Sequence, residues 1–372
     1  MMNKSCTQHK EEESDMAKHT YRKPRKGLKI FGCIVLVLVV IYAVIALWPR
    51  PQNFALDNPM MKPGDLPMLI AHGGGNEEFP DNTLEGFYNA YSVDPNAMME
   101  TDVSITADGV VILSHDTRLD RKTNVTGYII DWNYSDLIAQ RVDFGYTNKT
   151  KSQVRVEGSE LVRFTTDDGR HVTPLDVTYP EGVTPRDSEV FLATTLEELI
   201  VAFPNNRINV EIKQSGEEGL RCLRAVLELL DKYDAWDRVV LASFHSEIYA
   251  EYQRLQAAGE VPENFMCSPG LTNAAIFYVL QLLNADVFYG EDTCVLQLPT
   301  TYDLEVAGVE LTIDLATPGL IDAAHDHNLA VHYWTINDPE EMRMLIELGA
   351  DGIMTDYPHR LAEVYAEYGA AQ

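Results

Sequence analysis

Cysteine is scarce and unpatterned in this chain. Its five cysteines, Cys6, Cys33, Cys222, Cys267 and Cys294, show no metal-type spacing. That argues against a zinc module, and the odd number beyond residue 50 leaves at least one thiol free, most simply as a small buried apolar residue. Positive charge is scarce too: 29 Lys and Arg stand against 57 Asp and Glu, a net charge of −28. Nucleic acid is excluded as a partner on that ground, because phosphate backbones are gripped by clustered cations. Apolar residues are not in short supply. At 45% hydrophobic and 23% charged over 372 residues, the chain is not disordered as a whole and can fill one large catalytic domain or two modest ones.

The charge is unevenly placed. Residues 1–29 hold eight bases and four acids, a balance of +4 that leaves −32 for the rest. Residues 30–48 carry no charge, and 19 residues at about 1.5 Å each nearly span the ~30 Å hydrocarbon layer of a bilayer. A buried core helix or a cleaved signal peptide would be alternatives. No small-x-small site with a polar approach follows the run, so an uncleaved signal anchor is expected. The basic flank places the N-terminus in the cytoplasm and the acidic body outside. The expected organisation is a basic cytoplasmic tail (1–29), a transmembrane signal anchor (30–48), a Pro-rich tether (49–66) and a catalytic body (67–372).

Within the body, β-branched runs alternate with helical patterns. Strands are predicted near 68–72, 97–103, 207–213, 238–243, 264–267, 294–298, 330–334 and 351–354, with helices between most of them. Eight such units predict an α/β fold of (β/α)8 TIM-barrel type. Residues 124–193 break the rhythm and read as a β-rich insertion without a clear helix, with Asp168 and Gly169 at a hairpin turn.

Chemistry gathers at the predicted strand ends. The first strand closes on His72, followed by three glycines that let other groups approach the backbone. Asn82 and Glu85 have the spacing of a helix capping box. Glu100 and Asp102 lie two apart on the second strand, so both point to one side. Like charges so placed need compensation, and a hard divalent cation such as Ca²⁺ or Mg²⁺ is the simplest source. On the third strand Glu211 and Lys213 again share a face, the carboxylate able to complete an ion's shell and the ammonium to meet a phosphate oxygen, with a plain ion pair as the alternative. His115, next to Asp116, supplies a second imidazole, and two histidines beside a metal site suit acid and base catalysis.

With these blocks in order, the sequence resembles the glycerophosphodiester phosphodiesterase family. The likeness is carried by Ala71 to Gly74, Asp81-Asn82-Thr83, Glu100-Thr101-Asp102, Thr106 to Gly109, His115-Asp116, Leu119-Asp120-Arg121, Glu211-Ile212-Lys213, Ser243-Phe244, Trp334 to Asn337 and Gly349 to Asp356. The resemblance implies a TIM barrel of the phosphatidylinositol phospholipase C-like kind. It implies one divalent ion, Ca²⁺ or Mg²⁺, on Glu100, Asp102 and Glu211, and His72 and His115 as the acid/base pair. Lys213 and Asn82 would serve phosphate binding, and Phe244 and Trp334 the substrate pocket. The implied reaction is hydrolysis of a small glycerophosphodiester to glycerol 3-phosphate and an alcohol. Two departures stand out: the family's Arg after the first His is Gly73, and its Glu before Asn-Thr is Asp81. Arg118, Arg121 or the insertion are the candidates to replace that Arg. A lysophospholipase D acting on membrane lysolipids and a silent glycerophosphate-binding barrel are the other readings.

Overall fold

The computed structural model describes residues 26–147, 152–155, 158–306 and 308–369. The chain divides into two units, residues 1–49 and 50–372. Cys6 and the basic stretch 1–25 lie outside the described residues. The described part of the first unit is one helix, Lys26–Ala46. Its window from Lys29 to Ala46 has a mean hydropathy of 2.8 and no buried share, so length and composition allow it to cross a membrane, as they would a signal sequence.

In the second unit, all eight predicted strands form: β1 (Met68–His72), β2 (Met98–Ile105), β3 (Ile208–Ile212), β4 (Val239–Ala242), β5 (Met266–Cys267), β6 (Val295–Leu298), β7 (Ala330–Tyr333) and β8 (Gly352–Thr355). They pair in the order β5-β4-β3-β2-β1-β8-β7-β6, each neighbour parallel. At the remaining seam the N–H of Cys294, just before β6, donates to the carbonyl of Cys267 in β5 at 3.2 Å. The result is a nearly closed (β/α)8 barrel.

Strand alternation sorts the side chains into two cores. Leu69 and Ala71 of β1, Met99 and Val103 of β2 and Val210 and Ile212 of β3 pack outward under the helices. Met68 and Ile70, Met98, Val240, Ala330 and Met354 fill the interior. The inward register therefore continues along β1 to His72, along β2 to Glu100 and Asp102, and beyond β3 through Glu211 to Lys213, and the interior core ends in the polar groups of the site.

Three expectations change. Residues 49–66 are not a free tether, because Phe54 and Met60 are buried in the interior core. They enter with the help of Asn58, whose Nδ2 donates to the carbonyls of Cys294 and Asn328, and of His332, whose Nε2 lies 2.8 Å from the Met60 carbonyl. Prolines cannot extend a helix or a sheet ladder, but they allow an irregular segment to close the end of the barrel opposite the site. Met60→Ala is expected to cost about 2–5 kcal/mol through the cavity it leaves, read as a lowered midpoint of chemical unfolding.

The described part of the insertion is not β-rich. It contains the short helix Tyr134–Ala139 and isolated bridges, Tyr146 to Arg163 and Thr165 to His171, the second closing the expected turn at Asp168-Gly169. Third, a hairpin absent from the predicted elements, Thr301–Val306 paired with Val309–Asp314, follows β6. Cys222, Cys267 and Cys294 are buried free thiols.

Candidate active site

Glu100 and Asp102 lie midway along β2, which is buried throughout, and are 3% and 2% exposed; Glu211 faces them from β3, paired in register with Asp102. One oxygen from each of the three lies within 4.8 Å of the others, the one such carboxylate group among the described residues. Lys213 bridges part of the charge, its Nζ 2.9 Å from Asp102 Oδ1 and 2.7 Å from Glu211 Oε1. Asp102 is correspondingly held ionised: burial opposes its charge, and Lys213 overcomes that and lowers its pKa. Glu100 is not compensated in this way. Burial, then the field of Asp102, push its pKa up to about 8 despite nearby His72.

The two histidines come in from either side. The Nε2 of His72 lies 4.0 Å from Glu100, and its Nδ1 is 2.6 Å from Asp356, just past β8. Asp356 is fixed by Asn337, which donates to Asp356 Oδ2 at 2.7 Å and accepts from its backbone N–H. Burial works against a charge on His72, but the Asp356 hydrogen bond and the carboxylates raise its pKa to about 9. His115 is carried by the short strand Val111–Leu113, antiparallel to β2, and by Ser114, whose N–H donates to the Asp102 carbonyl. Its Nδ1 lies 3.1 Å from Asp116, itself gripped at two points by Arg121 at 2.7 and 2.5 Å. The Asp116 hydrogen bond raises the pKa of His115 against burial. Each imidazole is thus oriented through Nδ1 by an aspartate, leaving Nε2 for proton transfer.

His72, His115, Glu100, Glu211 and Lys213 open into one cavity of about 990 Å³, walled by Phe244 and Trp334, whose rings meet edge to face at 6.0 Å. Asn82 is placed differently from the expectation. Its Oδ1 accepts from Thr101 Oγ1 and the Asp102 N–H, and its Nδ2 donates to Asp102 Oδ2, so it orients a carboxylate. The helix cap expected at Asn82 is made by Thr83, whose side chain accepts from the Gly86 N–H. Glu85 pairs instead with Arg186 at 3.5 Å.

Gly73 adopts a positive φ of 54° and donates its N–H to Glu100 at 2.8 Å; a Cβ there would sit 2.8 Å from Asn76 Oδ1. Neither arginine expected to replace the missing guanidinium is free to do so. Arg121 is tied to Asp116, and Arg118 to Asp120 and the ring of Tyr128.

Asp356, Asn337 and Asn209 were not among the predicted site residues. Asn209 is 3% exposed, borders the cavity and has an Oδ1 without a partner among the described residues. Its signal is the same alternation that finds Glu211, two residues on. Asp356 sits 284 residues from His72, and no local pattern joins them.

The trio suits a hard divalent ion. Two oxygens on opposite sides of Ca²⁺ stand up to about 5 Å apart, and of Mg²⁺ about 4 Å, against 4.8 Å at most here. The raised pKa of Glu100 shows that Lys213 alone leaves the buried charge under-compensated. A cation on the trio would have to displace the proton that burial favours on Glu100, whose pKa is pushed up to about 8. Ion affinity is therefore expected to rise with pH from 6 to about 8 and then level off, as calorimetric titrations at several pH values would show.

A sequence model of the glycerophosphoryl diester phosphodiesterase family matches residues 72–360. A glycerophosphodiester phosphodiesterase of Bacillus altitudinis is 25% identical, covering 80% of this chain and 98% of its own. A human protein named lysophospholipase D GDPD1 is also 25% identical, covering 81% and 87%. The solved structure of an Oleispira antarctica phosphodiesterase in complex with the product sn-glycerol-3-phosphate superposes with a TM-score of 0.53 at 19% identity, covering 81% of this chain and 97% of its own.

Proposed function

This chain belongs to the glycerophosphoryl diester phosphodiesterase family and is a phosphodiesterase, and we propose that it hydrolyses glycerophosphodiesters to glycerol 3-phosphate and an alcohol with a divalent ion on Glu100, Asp102 and Glu211. The observation that carries this reading is the pair of aspartate-oriented imidazoles, His72 and His115, which share one cavity with Glu100 and Glu211 of the carboxylate trio.

Glu100, Asp102 and Glu211 would hold the ion, which would supply positive charge to the phosphoryl group and lower the pKa of the neighbouring glycerol hydroxyl. One imidazole accepts that hydroxyl's proton at Nε2. The hydroxyl oxygen forms a bond to phosphorus as the bond to the leaving alcohol breaks, and the other imidazole gives its Nε2 proton to the departing oxygen. Water then opens the cyclic phosphate with the two imidazoles in exchanged roles. Lys213 places an ammonium where charge develops on the phosphoryl oxygens. Asp356 and Asp116 hold the tautomers, and Asn82 holds Asp102. Phe244 and Trp334 wall the space for the substrate.

The helix Lys26–Ala46 serves as a signal anchor in this reading, with the basic tail in the cytoplasm and the phosphodiesterase body outside. The support is the Lys and Arg flank before an uncharged span. A silent binding barrel is disfavoured because both imidazoles and all three carboxylates are present and oriented.

The test is product analysis with the full chain reconstituted in lipid nanodiscs on glycerophosphocholine and Mg²⁺ or Ca²⁺. Glycerol 3-phosphate and choline are expected. Glycerol and phosphocholine, from cleavage on the other side of phosphorus, would contradict the reading.

A further inference from the structure

The cavity does not end at the polar site. From His72, His115 and Lys213 it runs on between the helix Leu271–Leu282, after β5, and the hairpin Thr301–Val306/Val309–Asp314, after β6. Both elements stand at the C-terminal end of the barrel, where the site is.

Their chemistry differs from the rest of the body. Residues 265–285 carry no charge in a body otherwise dense in acid. The hairpin register sets Tyr302 opposite Ile313 and Leu304 opposite Leu311, so these four share one face, while Asp303 with Thr312 and Glu305 with Glu310 share the other. Ile276 and Val279 of the helix and Tyr302, Leu304 and Ile313 of the hairpin line the cleft. Ile276, Val279, Tyr302 and Leu304 are nevertheless 46%, 52%, 41% and 40% exposed. A two-stranded hairpin needs its apolar face covered to be stable, and here much of that cover is missing.

Resting on the phosphodiesterase reading above, we propose that this apolar half of the cavity binds one acyl chain, so that the substrate class is a single-chain glycerophospholipid with its diester at the carboxylates. A water-soluble glycerophosphodiester has nothing to match these walls. The whole space, about 990 Å³, is at the top of the ~300–1,000 Å³ range of small-molecule sites. It holds more than a glycerophosphate headgroup needs, and its continuity with the site selects the substrate's own tail as the occupant. A single chain also leaves the glycerol hydroxyl free for the attack described above.

The test compares glycerophosphocholine with its monoacyl derivatives of six, eight and ten carbons, using the full chain in lipid nanodiscs below the micellar concentration of each. Each buried methylene can tighten binding by up to roughly fourfold, so the ten-carbon KM is expected at least 100-fold below that of glycerophosphocholine. Ile276→Glu and Leu304→Glu should raise the ten-carbon KM by tenfold or more and leave glycerophosphocholine turnover unchanged. A KM independent of chain length, with both variants silent and glycerophosphocholine still cleaved, overturns the acyl site while sparing the phosphodiesterase reading. If no substrate is cleaved, that reading fails, and calorimetric binding to His115→Ala protein decides the cleft alone. Tighter binding of the ten-carbon derivative than of glycerophosphocholine supports the site, and equal binding overturns it. A dimer that dissociates in either glutamate variant, without any chain-length dependence, would assign the cleft to a second copy and likewise overturn the proposal.

Discussion

His72→Ala and His115→Ala are each expected to lower turnover of glycerophosphocholine by about 10²–10⁴-fold, the usual contribution of a positioned acid or base, with little change in unfolding midpoint. Neither imidazole belongs to the apolar cores, and the His115 side chain is 44% exposed, so a fold explanation for such a loss is weak. The two should not be additive, because protonation of the leaving oxygen gains little when the attacking hydroxyl keeps its proton. Asp356→Asn separates positioning from proton transfer. It leaves both imidazoles in place but removes the principal group that raises the pKa of His72. The limb of the pH–rate profile belonging to His72 should then move to lower pH, with a smaller loss in maximal rate. A structural role alone would lower activity evenly across pH. An unmoved profile in Asp356→Asn would show that the His72 to Asp356 contact does not govern the proton.

The second large effect is expected at the acidic trio. Glu211→Gln or Asp102→Asn keeps the shape of the side chain and removes one of the three negative charges proposed to hold the ion. Ion affinity should fall by at least tenfold to a hundredfold, and turnover at limiting Mg²⁺ or Ca²⁺ with it. Each variant also removes one of the two carboxylates paired with Lys213, so the remaining contact tightens and competes with the incoming cation. High ion concentration should therefore restore only part of the rate. Metal titrations of activity, run beside direct binding, distinguish weaker binding from misplacement: full recovery at saturation means the ligand set affinity alone. Equal ion affinity in wild type and both variants would remove the trio as the binding site.

Much of this was legible in the sequence because barrel strands are buried on both faces. Their β-branched runs stand out, and all eight form where expected. The site was legible for the same reason. Alternation along a strand forces Glu100 with Asp102, and Glu211 with Lys213, to one side, and the barrel makes that side the interior.

What escaped depends on contacts between distant segments or on irregular backbone. Residues 49–66 have the proline content of a linker, and only the burial of Phe54 and Met60 reveals a plug. Asp356 meets His72 through the pairing of β8 with β1, which a linear reading cannot register. In the insertion, Gln153 to Glu157 and Leu161 to Phe164 have strand-like composition, yet the described residues there form only bridges. β-propensity without a neighbouring strand does not make a sheet. The hairpin after β6 has the opposite history: strict alternation on both sides of Ala307-Gly308 is a strong signal, but the segment adds no ninth stave to a barrel already complete with eight.

The measurement that tests the central claim most directly is reversible ion removal. The full chain is stripped with chelator and given glycerophosphocholine, and phosphorus products are followed by nuclear magnetic resonance before and after Mg²⁺ or Ca²⁺ is restored. The account predicts no product from stripped protein, and glycerol 3-phosphate on restoration in wild type but not in His115→Ala. Unchanged turnover by the stripped protein would contradict it.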